Sequence, residues 1–139
     1  MTVELFCLGF FAIVIIISIL LQQLSSMFNF SLKQILGSRE NIQFSGLTGR
    51  LERSILNSVI AMALFAPSII ILALVNITTP QTVIAAQVFV IARLIYSISY
   101  GLNIPFLRSA GWTVGLLCTV VLYYHVFFQN LWYLWRSVE

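Results

Sequence analysis

Charge is what this 139-residue chain has least of: seven Lys and Arg and four Asp and Glu, 8% in all, against about a quarter in an ordinary soluble domain. So few charges cannot coat a water-facing surface. Hydrophobic residues make up 60% and mean hydropathy is +1.03, more apolar surface than a single core of this size can hide from water. Lipid is the solvent this composition calls for. Cysteine is also scarce. Cys7 and Cys118 lie far apart inside apolar runs, without a C-x-x-C partner, so neither a disulfide framework nor a zinc site is expected. The net charge of +3 is scattered, with no run of adjacent Lys or Arg. Nucleic-acid binding, which needs a basic stripe, is not expected either.

What is present is a series of apolar segments, each near the roughly 20 residues that cross about 30 Å of hydrocarbon. They predict an all-α membrane protein, a single domain over residues 1–139 in which four transmembrane helices run up and down. The helices are expected at about 3–24, 47–76, 80–102 and 110–134. The first begins with Glu4 instead of Lys or Arg and has no small-residue cleavage site before Gln22 and Gln23, so it reads as a span and not as a signal peptide. The stretch 25–46, with Lys33, Arg39 and Glu40, is the long polar connection. Pro67 falls inside the second span, where neighbouring groups must satisfy the carbonyl it frees. Pro80 is placed to open the third, where its missing N–H is harmless.

Charge also gives an orientation. Lys33, Arg39, Arg50, Arg53, Arg93 and Arg108 belong to the half holding the first and third connections, the second turn has no charge, and Arg136 lies opposite. By the positive-inside rule, those connections are cytoplasmic and both termini lie on the non-cytoplasmic side of a multi-pass protein. Trp112 at one end of the fourth span, and Trp132, Tyr133 and Trp135 at the other, fit interfacial belts.

Polar residues gather at the same membrane face. Arg50, Arg53 and Asn57 are spaced i, i+3, i+7, which sets them on one side of the second helix. Arg93, Tyr96 and Tyr100 repeat that spacing on the third, and Arg108 opens the fourth. Arg93 lies about two turns below the cytoplasmic end of its helix at roughly 1.5 Å per residue, and an arginine at that depth must be shielded by another helix or subunit. Buried ionisable groups within spans are functional candidates, and this set suits an anion. Snorkelling to headgroups is the competing reading for the shallower arginines. His125 has no carboxylate or second histidine nearby and reads as a packing residue; no metal site is expected. Gly111 and Gly115 form a G-x-x-x-G that permits close helix packing.

At this point the chain resembles the MAPEG family, membrane-associated proteins of eicosanoid and glutathione metabolism, and especially its bacterial members. The resemblance rests on Leu36-Gly37-Ser38-Arg39-Glu40, on Gly46 through Arg53 with Asn57, and on Ala92-Arg93-Leu94-Ile95-Tyr96 with Tyr100. Ile104-Pro105-Phe106-Leu107-Arg108 and Gly111-Trp112 complete it. It implies a homotrimer in the bacterial inner membrane, in contact with lipid, with sites between subunits near the cytosolic face. It further implies glutathione as co-substrate, held by Arg53, Asn57, Tyr96 and Tyr100, with Arg108 stabilising the thiolate as the catalytic group and a lipophilic small molecule as electrophile. The activity implied is that of a glutathione-dependent transferase or peroxidase. Arg50 and Arg93 join the candidate ligand-binding set from their positions in the two stripes.

The chain departs from the family pattern beside that set. Ile60 stands where a Glu that holds the amino group of glutathione is usual, Ala61 replaces an aromatic, and Ile55 replaces a polar residue. These departures leave open a second expectation: a non-catalytic trimer whose basic pocket holds a lipid headgroup or another anion, or which assembles with a membrane partner.

Overall fold

The computed structural model describes residues 1–29 and 44–136. Four helices follow one another: α1 (Val3–Asn29), α2 (Gly46–Leu74), α3 (Pro80–Leu102) and α4 (Pro105–Arg136). Each is long and apolar enough to cross a membrane, and no strand occurs among the described residues. The chain is thus an all-α, four-helix membrane bundle. The segment with Lys33, Arg39 and the Leu36–Glu40 motif, and the side chains of Trp132 and Tyr133, lie outside the described residues.

Two helix ends differ from expectation, each for a local reason. α1 continues through Gln22 and Gln23 to Asn29, because its polar residues face a partner instead of ending the helix. Gln22 and Ser26 are buried, and the Ser25 and Thr48 hydroxyls, 2.8 Å apart, tie α1 to the start of α2. α4 begins at Pro105, five residues before the expected Ala110. Asn103 adopts the left-handed conformation (φ 60°, ψ 44°) and closes α3, and Pro105 then opens α4, as its fixed φ and missing donor allow. The α3–α4 turn is therefore two residues long.

The opposite end is closed by caps. Asn76 takes a positive φ of 55° and Ile77 tucks inward, its N–H donating to the Leu72 carbonyl at 2.9 Å. The Thr79 and Thr82 side chains each accept from the other's backbone N–H, 2.9 and 3.2 Å, a reciprocal cap with Pro80 as first helical residue. The Thr82 hydroxyl also reaches the buried Glu4 carboxylate at 2.9 Å, which pins the start of α1 to the start of α3.

Between these ends, three rings form the centre of the core. Phe65 of α2 and Phe89 of α3 stack with centroids 3.8 Å apart, and Phe11 of α1 meets both edge-on at 6.5 and 5.1 Å. Edge-on and stacked pairs add to what apolar burial gives alone. α4 has no ring in this trio and joins by another device. A Cβ on Gly111 would lie 2.8 Å from the Ala92 carbonyl oxygen, and one on Gly115 would lie 3.2 Å from Arg93 Cδ. The two glycines let α4 approach the backbone of α3, which is the use small residues have between membrane helices.

Candidate functional site

Arg93 sits in the middle of the bundle, 1% exposed. Its Nη2 donates to Ser58 Oγ of α2 at 3.2 Å, its guanidinium carbon lies 4.3 Å from the Tyr96 ring centroid, and Phe11 of α1 approaches at 5.9 Å. The expected shield is therefore supplied by helices of the same chain. Its contacts among the described residues are a hydroxyl and two ring faces, so cation–π attraction and one hydrogen bond offset its desolvation. Gly115 makes space for its stem.

From Arg93 a ladder of basic and aromatic groups runs toward the α3–α4 turn. The Tyr96 and Tyr100 rings are 5.5 Å apart, and Arg108 of α4 lies 4.9 Å from the Tyr100 centroid. Guanidinium, ring, ring, guanidinium follow in order, because i, i+3, i+7 spacing stacks the α3 groups on one side and the short turn returns Arg108 beside them. Asn57 of α2 reaches the ladder from the side: it interacts with Tyr96, while its Nδ2 donates to the Arg53 carbonyl at 3.1 Å.

A cavity of about 60 Å³ adjoins this ladder, lined by Asn57, Ile60, Arg93, Trp112 and Thr119 among others. Arg93 Nε is buried without a hydrogen-bond partner. The wall is mainly apolar, with Ile60, Leu64, Phe89 and Leu116, and its polar groups come from Asn57, Arg93 and Thr119.

Of the residues singled out in the sequence, Asn57, Arg93, Tyr96, Tyr100 and Arg108 are brought together. Arg53 stands at the exposed edge of this group, its guanidinium folded back toward Gly49. Arg50 is not with them; it lines a different cleft, between α1, α2 and α3. The i, i+3, i+7 stripe on α2 therefore straddles two sides of the bundle. Ser58 and Phe11 support Arg93 without having been picked out, and Gly115, read as a packing glycine, also makes room for it. The serines carried a signal, since Ser54, Ser58, Phe65, Ser68 and Leu72 recur at helical spacing and are all buried. His125 packs edge-on to Tyr124 at 5.7 Å, and its Nδ1 is buried with no hydrogen-bond partner. Among the described residues no group of three or more His, Cys, Asp or Glu is placed to hold a metal.

Four helices long and apolar enough to span a membrane, three of which share a ladder of basic and aromatic side chains, define a multi-pass integral membrane protein. The MAPEG family model matches residues 3–128, and the chain belongs to the MAPEG family. No curated protein and no solved structure matches it.

Proposed function

We propose that this protein binds glutathione along the α2–α3–α4 side of the bundle and transfers it to lipophilic electrophiles. The observation that carries the reading is the position of Arg108: it lies in the first turn of α4 over the Tyr100 ring, at the end of a ladder that also draws in Asn57 and Tyr96. Glutathione has two carboxylates and reacts as a thiolate, and guanidinium groups both clamp carboxylates and favour the ionised sulfur. In this reading Arg53, Asn57, Tyr96 and Tyr100 hold the tripeptide and Arg108 stabilises the thiolate.

The thiol proton leaves to solvent. The sulfur then bonds to the electrophilic carbon, and a halide, for an aryl halide, departs with the electron pair. In a peroxidase use of the same thiolate, the sulfur bonds to one peroxide oxygen as the O–O bond breaks and the alcohol leaves, and a second glutathione converts the resulting sulfenic acid to the disulfide and water. The family resemblance supports a bacterial-type homotrimer in the inner membrane with neighbouring subunits covering the site. The charge pattern supports a cytosolic site and outward termini. Purified protein is expected to conjugate glutathione to an aryl halide, and Arg108→Ala to lose at least tenfold in rate. Equal rates in the two proteins reject Arg108 in this role.

One observation favours a second reading. Ile60, where an acid is usual, is 60% exposed and lines the cavity beside Asn57 and Arg93, so an apolar group borders the place where the ammonium end of glutathione would lie. Losing a charge-assisted hydrogen bond there costs about 1.5–3 kcal/mol. In this reading the trimer is not catalytic and the same basic site holds a lipid headgroup or another anion, or meets a membrane partner. Calorimetric titration decides: saturable glutathione binding that Arg53→Ala weakens removes the second reading, and its absence removes the first.

A further inference from the structure

Arg50 stands apart from the ladder, and its surroundings have a different character. It lines a cleft of about 620 Å³ between α1, α2 and α3, whereas the Arg93 cavity lies between α2, α3 and α4. The cleft wall is apolar, formed by Val14, Ile17, Leu51, Leu94, Ile98 and Leu102 among others. Small residues from all three helices hold it open: Ser18 from α1, Ser54 from α2, and Ser97 and Gly101 from α3. At its upper end Arg50 Nε is buried without a hydrogen-bond partner. Arg93 Nε is likewise unpartnered, but the Arg93 guanidinium is held by Ser58 and the Tyr96 ring and that of Arg108 lies over the Tyr100 ring, on the other side of the bundle.

The cleft also continues. A second one of about 370 Å³ runs between α1 and α3, lined by Phe6, Cys7, Phe10, Gln87 and Val90, and Leu94 borders both. From Gln87 to Leu102 is about 22 Å at 1.5 Å per residue. Such a path is apolar and long, and among the described residues Arg50 is the one cation lining it, at the bundle end where α2 begins. An apolar cavity with a few placed polar groups is the usual form of a small-molecule site, and a guanidinium prefers carboxylate or phosphate oxygens.

We propose that the α1–α2–α3 groove is a binding site for an anionic phospholipid, its phosphate on Arg50 and one acyl chain laid along α1 and α3 past Leu94. This site is distinct from the proposed thiol site. The lipid acts as a resident ligand that fills the space the small residues leave, and no reaction is assigned to it.

The test is native mass spectrometry of the full chain released from detergent after addition of phosphatidylglycerol or phosphatidylcholine. The expected result is preferential retention of phosphatidylglycerol. Arg50→Gln should lower retention about tenfold, the worth of one charge-assisted contact. Gly101→Leu, which fills the cleft, should lower it as much, while Arg136→Gln, which removes a charge at the other end of the bundle, should leave it unchanged. A photoreactive residue at Ser97 should then crosslink to lipid. Equal retention of both lipids overturns the proposal, as does unchanged retention in Arg50→Gln or an equal loss in Arg136→Gln. Crosslinking from position 97 to a second copy of the chain also overturns it, by assigning the groove to a subunit interface. Where a variant fails to fold, the wild-type lipid preference and the Ser97 crosslink decide. Glutathione titration of the same samples keeps the two sites separate, since loss of the lipid site leaves thiol binding in place.

Discussion

Two helices carry the same pattern, a polar stripe at i, i+3, i+7, and the bundle treats them differently. On α3 the stripe is buried: Arg93, Tyr96 and Tyr100 pack against one another and against α4. On α2 it sits at a boundary, with Arg53 exposed, Asn57 half-buried and Arg50 turned toward another cleft. Spacing dictates which residues share a helix side. What that side meets depends on the neighbour, and here the outcome differs: α3 is met closely by the Gly111–Gly115 edge of α4, while Arg53 of α2 is exposed among the described residues. The lesson is that a buried guanidinium in this protein is made possible by glycines one helix away.

That contrast can be broken most severely at the glycines. Gly111→Leu is expected to abolish the folded bundle or lower its detergent melting temperature by more than any other change considered, because its Cβ alone would sit 2.8 Å from the Ala92 carbonyl oxygen and backbone cannot yield as a side chain does. Scanning fluorimetry measures it. A melting curve like that of the parent would mean that α3 and α4 are not held this closely.

Next in size is Arg93 itself. Arg93→Ala removes the ring contacts and leaves a void among Phe11, Ser58 and Tyr96, so a loss of about 2–5 kcal/mol is expected, as for other large-to-small changes in a core. Arg93→Met, which keeps much of the volume and removes a buried charge, should regain most of that loss. The pair sharpens the comparison, since equal damage from both would show that the charge, and not the packing, is what the core depends on. Ser58→Ala should be milder. It removes the acceptor of the Arg93 Nη2 bond, and an unsatisfied buried donor costs about 1–3 kcal/mol; chemical denaturation in detergent against the parent measures it.

Much of this was open to reading in the sequence, and the boundaries of that legibility are physical. Hydropathy gave the four spans because lipid demands long, self-satisfied helices, and the family residues were visible as strings. Helix ends were less visible: Gln22 and Gln23 look like a stop, yet buried polar residues of α1 find a face on α2, and Pro105 looks like a turn, yet it starts a helix. For the site, periodicity united Arg93, Tyr96 and Tyr100, and all three do form one ladder with Arg108. It also united Arg50 with Arg53 and Asn57, and there the groups diverge, because a stripe spanning about 60° of a helix can cross the line between two neighbours. The support from Ser58 and Phe11 depends on contacts between residues 35 and more positions apart, and no local pattern contains those.

The smallest effect on stability is expected at Arg53, and this is where the two stripes differ most in kind. Its side chain is exposed, and substitutions at such positions usually change stability by less than about 0.5 kcal/mol. Asn57 bonds to the Arg53 backbone carbonyl and not to its side chain, so Arg53→Ala leaves that anchor intact and Asn57 stays beside Tyr96. If Arg53 serves a ligand, its removal should be silent in the melting curve and loud in a titration, with glutathione affinity falling about tenfold for one lost charge-assisted contact. If the α2 stripe only meets headgroups, both measurements should be silent. A fall in stability comparable to that of Ser58→Ala would contradict both, and would mean that Arg53, like Arg93, is part of the packed frame.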